Sequence, residues 1–447
     1  MYAWENRIAE WIQKHLFAIG AVLFFLISIV LRFALLPFRS NDYISSLDRW
    51  FNTLKDAGGI LAGMRLEIGD YNHLYRFLLA ISTFCGNSLY AVKFWSNLFD
   101  YVGAAAGAWL VYTALRESGA EKKRAAGIGC VAGLFLLYLP IVVMNSAVWG
   151  QCDFMYTSFL VLCIVFLIKE KYVPAFLCYG VAISFKLQAI FLLPVLILLY
   201  LLTRKFSFTH FFIIPGMMLV CGLPGVIARW PVVGAKAVLE PFLIYKEQIR
   251  GYNTLFAHNF ANIYSYMDWR AIPDGHIENF YKYVRLGGTI FALVVLGSAL
   301  WYVLLKRPKM NARLLILLCL FSVDTCTLFL PDMHDRYAFC YVILLTLYVV
   351  TYRRLGGSLL LSYLVEACIY VHYLNENELS FSYPVLATFS FAAYVLICLE
   401  LYRLVCAASR AAQQPLQNAR PESSPGGREE MNGKEGNTVV FVGEKTV

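Results

Sequence analysis

The sequence predicts an all-α, polytopic membrane protein, with about twelve transmembrane helices and long first and mid-chain outer loops. Three observations carry the fold class. Of 447 residues, 60% are hydrophobic and only 15% charged, at a mean hydropathy of +0.61, and no soluble domain of this size hides so much apolar surface. The apolar stretches are long runs without the period-two alternation of a barrel strand, which excludes a closed β-barrel. The bare basic clusters between the runs all fall on one side when the runs are threaded back and forth across a membrane.

Residues 1–15 pair charges with Trp4, Ile8, Trp11 and Ile12 at helical spacing, which predicts an amphipathic helix lying on the cytosolic interface. The first apolar run, 16–37, is too long for a signal-peptide core and lacks a small-residue cleavage site, so it is read as a retained span. A polar segment containing Gly58, Gly59, Gly63 and Gly69 follows, and residues 73–85 are too short to cross, which places them along the membrane surface. Spans are predicted at roughly 89–115, 125–144, 154–168, 172–184, 187–203 and 208–228. After a second polar segment, about 231–284, come 285–305, 312–330, 337–352, 357–373 and 383–402. The 172–184 and 187–203 runs are short for a core about 30 Å thick, which predicts a broken or re-entrant hairpin around Ser184-Phe185-Lys186. Residues 1–410 thus form one transmembrane domain with outer loops at about 38–88 and 231–284. Residues 411–447, rich in Gln, Pro, Gly, Ser and charge, read as a disordered cytosolic tail.

Arg116/Lys122/Lys123/Arg124, Lys169/Lys171, Arg204/Lys205, Lys306/Arg307/Lys309/Arg313, Arg353/Arg354 and Arg403 mark the cytosolic side, which puts both termini there. The net charge of +9 resides in these short clusters. They read as topology signals and contacts to anionic membrane lipids, with no continuous basic face for nucleic acid. The twelve cysteines are scattered without C-x-x-C or zinc-finger spacing and read as packing residues.

The same orientation sends the polar motifs outward: Asn41-Asp42-Tyr43, Trp149-Gly150-Gln151-Cys152-Asp153, Ser184 to Gln188, the 231–284 loop, and Pro331-Asp332-Met333-His334-Asp335-Arg336-Tyr337. Alone, the 149–153 stretch reads equally well as an interfacial Trp followed by a helix cap. Five polar segments at one face predict a shared outer cavity, since polar groups at span ends are costly unless hydrogen-bonded or wet. Asp70 is a second acidic residue of the first loop, either a turn residue or a holder of substrate. Lys93, Asn97 and Asp100 share one helix face and read as internal bundle polarity. Arg32, Asp324 and Glu366 lie within spans and receive no chemistry.

A carboxylate past the first span, a lysine in a hairpin and a His-Asp-Arg triplet suit transfer from a phosphate-linked lipid donor. Such a reaction needs a base for the acceptor hydroxyl and cations for the departing phosphate. Lys186, His334 and Arg336 are the candidates for the phosphate. No Gly-rich phosphate loop or dinucleotide fingerprint is present, so a nucleotide-sugar or ATP site is unsupported. The first loop has no tight acidic cluster, and no metal or other cofactor is expected.

The order of motifs resembles the integral-membrane glycosyltransferases of the GT-C superfamily, particularly bacterial relatives of the GPI-anchor mannosyltransferases. The matching features are Asp42-Tyr43 with Trp50, Gly69-Asp70-Tyr71-Asn72, Trp149-Gly150-Gln151-x-Asp153, Phe185-Lys186-x-Gln188, Asn259-x-x-Asn262-Ile263-Tyr264 and His334-Asp335-Arg336-Tyr337, over about 300 residues. The resemblance implies an inverting transferase that moves one sugar, mannose by analogy, from a polyprenyl-phosphate donor to an envelope glycan or glycolipid on the outer face. It implies Asp42 as general base and His334 and Arg336 at the donor phosphate. Asp70, Trp149, Gln151, Asp153, Gln188 and Asn262 are the expected substrate-binding residues. Two departures stand out: Asp335 replaces the commoner Glu, and Leu187 replaces the usual Pro, which predicts a less kinked helix there. A transporter or flippase of lipid-linked sugars would share the span count, although no internal repeat is evident. A glycan polymerase or ligase would share the donor chemistry.

Overall fold

A computed structural model describes residues 2–69, 71–251, 256–267, 277–375 and 381–418. Helix α1 (Ala3–Leu35) runs unbroken through the amphipathic stretch and the first apolar run. The separate interfacial helix expected for residues 1–15 is therefore the first part of α1. No Gly or Pro falls between residues 3 and 19 to end it, and its 33 residues reach about 50 Å, well past a core of about 30 Å. The segment after α1 carries α2 (Asp48–Asp56), α3 (Ile60–Arg65) and α4 (His73–Ile81). Helix α5 (Ser88–Glu117) then pairs with α6 (Lys122–Tyr138), and α7 (Pro140–Val143) leads into a π-helical turn at Met144–Val148. Next come α8 (Asp153–Ile168), α9 (Tyr172–Phe185), α10 (Leu193–Thr203), α11 (Ile213–Val233) and α12 (Glu240–Gly251). The chain closes with α13 (Ile277–Lys306), α14 (Ala312–Phe329), α15 (Phe339–Tyr352), α16 (Gly356–Leu374) and α17 (Tyr383–Asn418). Helix α17 thus runs on to Asn418, into the segment expected to be disordered; residues 419–447 lie outside the described residues.

Among the described residues, seven helices are long and apolar enough to cross a membrane, or eight if α6 and the segment Pro140–Val148, bent by 53°, count as one span. Every apolar run found in the sequence is helical, but the count of twelve crossings does not follow from length. Asp153–Ile168, Tyr172–Phe185, Leu187–Thr203 and Phe339–Tyr352 fall short of the roughly 20 residues a crossing needs. Two of these, α8 and α15, are buried on nearly every side, as is α14, so they form the centre of the bundle.

Close helix approach is built from small residues. A Cβ on Gly129 would sit 2.7 Å from the Ala108 carbonyl, and one on Gly133 would sit 2.8 Å from that of Ala104. The two glycines, one turn apart, let α6 lie directly on the backbone of α5. Arg229 of α11 pairs with Glu67 at 2.7 Å and with Glu240 at 2.6 Å. With Asn72 donating to the Pro241 carbonyl at 3.0 Å, these contacts clamp the α2–α4 segment against α11 and α12.

The end of α1 is fixed by the polar face of α5. Arg32 donates from Nε and a terminal nitrogen to Asp100 Oδ2 at 2.9 and 2.7 Å, and to the carbonyls of Ser28 and Leu137. Lys93 Nζ donates to the carbonyls of Leu35, Leu36 and Phe38 at 3.0, 3.1 and 2.6 Å. A cation on the last carbonyls satisfies acceptors left over at a helix C-terminus. The expected structural role of this face is what the packing shows, and it aims the residues just beyond α1.

Candidate functional site

The chain leaving α1 reaches Ser40, whose hydroxyl donates to the Trp149 carbonyl at 2.9 Å and accepts from the Tyr43 amide at 3.2 Å. Asp42 is thereby set against the 149–153 turn. That turn depends on Gly150, at φ +79°, a left-handed conformation that favours glycine. It is closed by Gln151 N–H donating to the Asn145 carbonyl at 2.8 Å.

Asp42 is the acceptor at the centre. Trp149 Nε1, Gln151 Nε2 and Arg336 each donate to its Oδ2 at 2.9 Å, and the Tyr373 hydroxyl donates to Oδ1 at 2.6 Å. Oδ2 therefore carries three donors and Oδ1 one, which leaves the open lone pair on Oδ1. Burial alone would raise the Asp42 carboxyl; the Arg336 charge and the hydrogen bonds from Tyr373, Trp149 and Arg336 outweigh it and hold the group below its ordinary value. The Trp149 ring stacks on Tyr373 at 4.0 Å, and the Arg336 guanidinium lies 5.4 Å over that same indole.

Asp153, fully buried at the start of α8, does not cap that helix. Its carboxylate forms an ion pair with Lys186, accepts from Asn145 Nδ2 at 2.9 Å and lies 3.7 Å from Arg336 Nε. Lys186 reaches it because α9 stops at Phe185 and Lys186 is extended (φ −153°, ψ 137°) before a 3₁₀ turn, Leu187–Leu192. The expected break is present, and Leu187 does not carry the helix through it. The ammonium also faces the rings of Tyr337 and Tyr156, at 5.2 and 5.9 Å, so a buried cation is held by a carboxylate and two aromatic faces.

Arg336 joins the two acids. Burial opposes its charge, but Tyr71, Asp42, Asp335 and Asp153 together keep the guanidinium firmly protonated. Asp335 lies 3.8 Å from it. Burial pushes the Asp335 carboxyl up to about 7, with Arg336 and Lys186 opposing and Asp42 and Asp153 reinforcing the rise. His334 belongs to a short parallel strand pair, Met333–His334 against Ala257–His258, and its ring stacks on His258 at 4.3 Å. Burial, then His258, Arg336 and Lys186, push His334 down to about 2. Each of these disfavours the imidazolium, against the cation expected there from sequence.

Two cavities adjoin the network. One of about 290 Å³ is polar and is lined by Arg39, Ser40, Asn41, Tyr373 and Asn375, on the Asp42 side. The other, about 320 Å³ and mostly apolar, lies on the Lys186 side among Leu187, Ile190, Phe191, Leu330 and Tyr337, with Gln188 and the 2.6 Å Arg285–Asp332 ion pair in its wall.

Of the residues expected at a site, Asp42, Trp149, Gln151, Asp153, Lys186 and Arg336 form one continuous network. His334 adjoins it, and Gln188 lines the apolar cavity. Asn262 stands apart. It is fully buried, accepts from the Tyr264 amide at 3.0 Å and donates to the Leu330 carbonyl at 3.4 Å, so it holds the 256–266 segment against the chain before His334. Asp70 lies outside the described residues. Sequence reasoning missed Tyr373, Asn145, His258 and Tyr370, whose hydroxyl accepts from Asn145 Nδ2 at 3.1 Å. Asn145, a buried amide in an apolar run, carried a signal; Tyr373, one of 29 tyrosines, carried none. Among the described residues no three His, Cys, Asp or Glu side chains converge as metal ligands. Compared with known families and proteins, the chain matches no family model and no curated protein.

Proposed function

We propose that this protein is a GT-C-type glycosyltransferase that moves one sugar, mannose by resemblance, from a polyprenyl-phosphate donor to an envelope glycan or glycolipid on the outer face of the membrane. The observation that carries the reading is the joining of Asp42 to Arg336, with Asp153 and its partner Lys186 at the Nε of the same guanidinium. A base and a phosphate-binding cation must lie within one sugar's reach of each other for inverting transfer. The flanking cavities suit the two substrates: the polar one beside Asp42 an acceptor sugar, and the apolar one beside Lys186 the first isoprene units of the carrier.

The charges also balance for this step. Below pH about 7, where Asp335 holds its proton, Asp42, Asp153, Lys186 and Arg336 sum to zero. The acceptor oxygen attacks the anomeric carbon as its proton passes to Asp42 Oδ1, and the bond from that carbon to the phosphate oxygen breaks. Protonation leaves the cluster at +1 as the departing phosphate gains its second negative charge, so the site becomes attractive where charge develops. The arriving donor phosphate also competes for Arg336. Withdrawing that guanidinium from Oδ2 makes Asp42 a stronger base only when donor is bound.

The test is reconstitution of the purified protein in vesicles with polyprenyl-phosphate mannose and an envelope lipid extract. A mannosylated product formed by wild type and lost in Asp42→Asn supports the reading. Carrier crossing the bilayer without transfer, for mannose and other monosaccharide carriers alike, contradicts it and identifies a flippase.

A further inference from the structure

At the end of the bundle away from Asp42, a cavity of about 580 Å³ opens between α1, α6 and the α15–α16 turn. It is separated from Arg336 by the length of α15, about 21 Å for 14 residues. Helices α1 and α6 are tied nearer their outer ends, where Arg32 donates to the Leu137 carbonyl and Tyr138 to that of Phe24. Toward Phe17 they part and the cavity begins. Arg124 and Arg353 stand at its rim, both exposed, and among the described residues neither guanidinium has a hydrogen-bond or ion-pair partner. The walls below them are apolar: Ile128 and Val131 lie one and two turns deeper along α6, and Val349 and Val350 one turn deeper along α15. Gly127 and Gly356 border open space, since a Cβ at either would meet no atom within 4 Å.

Two unpaired guanidiniums above an apolar slot, at the end of a membrane bundle that carries the basic clusters, match one ligand shape. It is a phosphate headgroup with an acyl chain directly beneath it. We propose that this cavity binds one anionic phospholipid of the cytosolic leaflet, with its phosphate between Arg124 and Arg353 and an acyl chain against Phe17, Ile128 and Val350. The lipid fills the wedge between α1 and the bundle, and the proposal is independent of the reaction at the outer end.

The experiment is native mass spectrometry of the full-length protein in detergent, titrated with phosphatidylglycerol or with phosphatidylcholine of the same chains. One phosphatidylglycerol adduct is expected, bound about tenfold or more tightly than phosphatidylcholine. It is expected to be lost in the double variant Arg124→Gln/Arg353→Gln and kept in Arg307→Gln/Lys309→Gln at another basic turn. Gly127→Leu, which fills the slot and leaves every charge in place, is expected to remove it as well. Equal binding of the two lipids by wild type overturns the proposal, as does an adduct that survives Gly127→Leu. Displacement by millimolar inorganic phosphate overturns it in favour of a free-anion site.

Discussion

The Arg32–Asp100 and Arg336–Asp42 pairs share their chemistry and nearly their distance, 2.7 and 2.9 Å, yet they are built for different ends. Around the first, the side chains are 4% and 1% exposed, and the remaining guanidinium donors go to the Ser28 and Leu137 carbonyls. Among the described residues Asp100 Oδ1 has no hydrogen-bond partner, but it is sealed inside the bundle. Around the second, Asp42 is 31% exposed, its less occupied oxygen accepts from Tyr373, which lines a polar cavity, and its arginine is shared with Asp153 and Asp335. A sealed pair joins helices; a pair with a reachable lone pair and a shared cation can exchange partners.

Substitution at the two acids separates these roles most strongly. Asp42→Asn is expected to cut transfer by about 10²–10⁴-fold, the usual worth of a general base, while the thermal melting of the purified protein stays near wild type. Asp100→Asn is expected to do the reverse. It leaves Arg32 buried without a counter-charge, at a cost of about 3–5 kcal/mol, read as a lower unfolding midpoint with little change in the rate per folded molecule. Equal activity losses with equal stability losses would erase the distinction.

A smaller effect is expected at Asp335. Its carboxyl rises from an ordinary 3.8 to about 7, so the folded state holds a proton that the unfolded chain releases. That contribution is complete below the unfolded value and is lost as pH rises through about 7. Asp335→Asn is therefore expected to flatten the fall in melting temperature between pH 4 and 7, and a wild-type melting temperature that does not fall across this range contradicts the assignment. Tyr373→Phe is the mildest change. Losing one donor on Oδ1 is expected to shift the acidic limb of the transfer profile upward while the maximal rate stays within about tenfold.

Much of the helical body was legible because apolar run length and basic clustering are local properties. Every predicted run became a helix, and the break at Lys186 was visible in the shortness of its two arms. What did not follow was whether a short run crosses. Helices α8 and α15 are interior elements whose lengths are set by their neighbours, and no local pattern encodes that. In the site, residues with an intrinsic desolvation cost, Asp42, Asp153, Lys186 and Arg336, stood out against apolar surroundings. Tyr373 did not, because a tyrosine in an apolar helix carries no such cost until its hydroxyl meets Asp42. The pull on His334 away from the imidazolium was not legible, because it comes from burial and from His258, which lies 76 positions away in the chain but next to it in space.

The exchange of Arg336 from Asp42 to the donor phosphate is tested most directly by comparing pH profiles of kcat/KM for the donor, which report the free enzyme, with those of kcat, which report the donor complex. The predicted result is an acidic limb at higher pH in kcat than in kcat/KM, because the carboxylate loses its guanidinium when donor binds. Limbs that coincide, or that persist unchanged in Asp42→Asn, would contradict it.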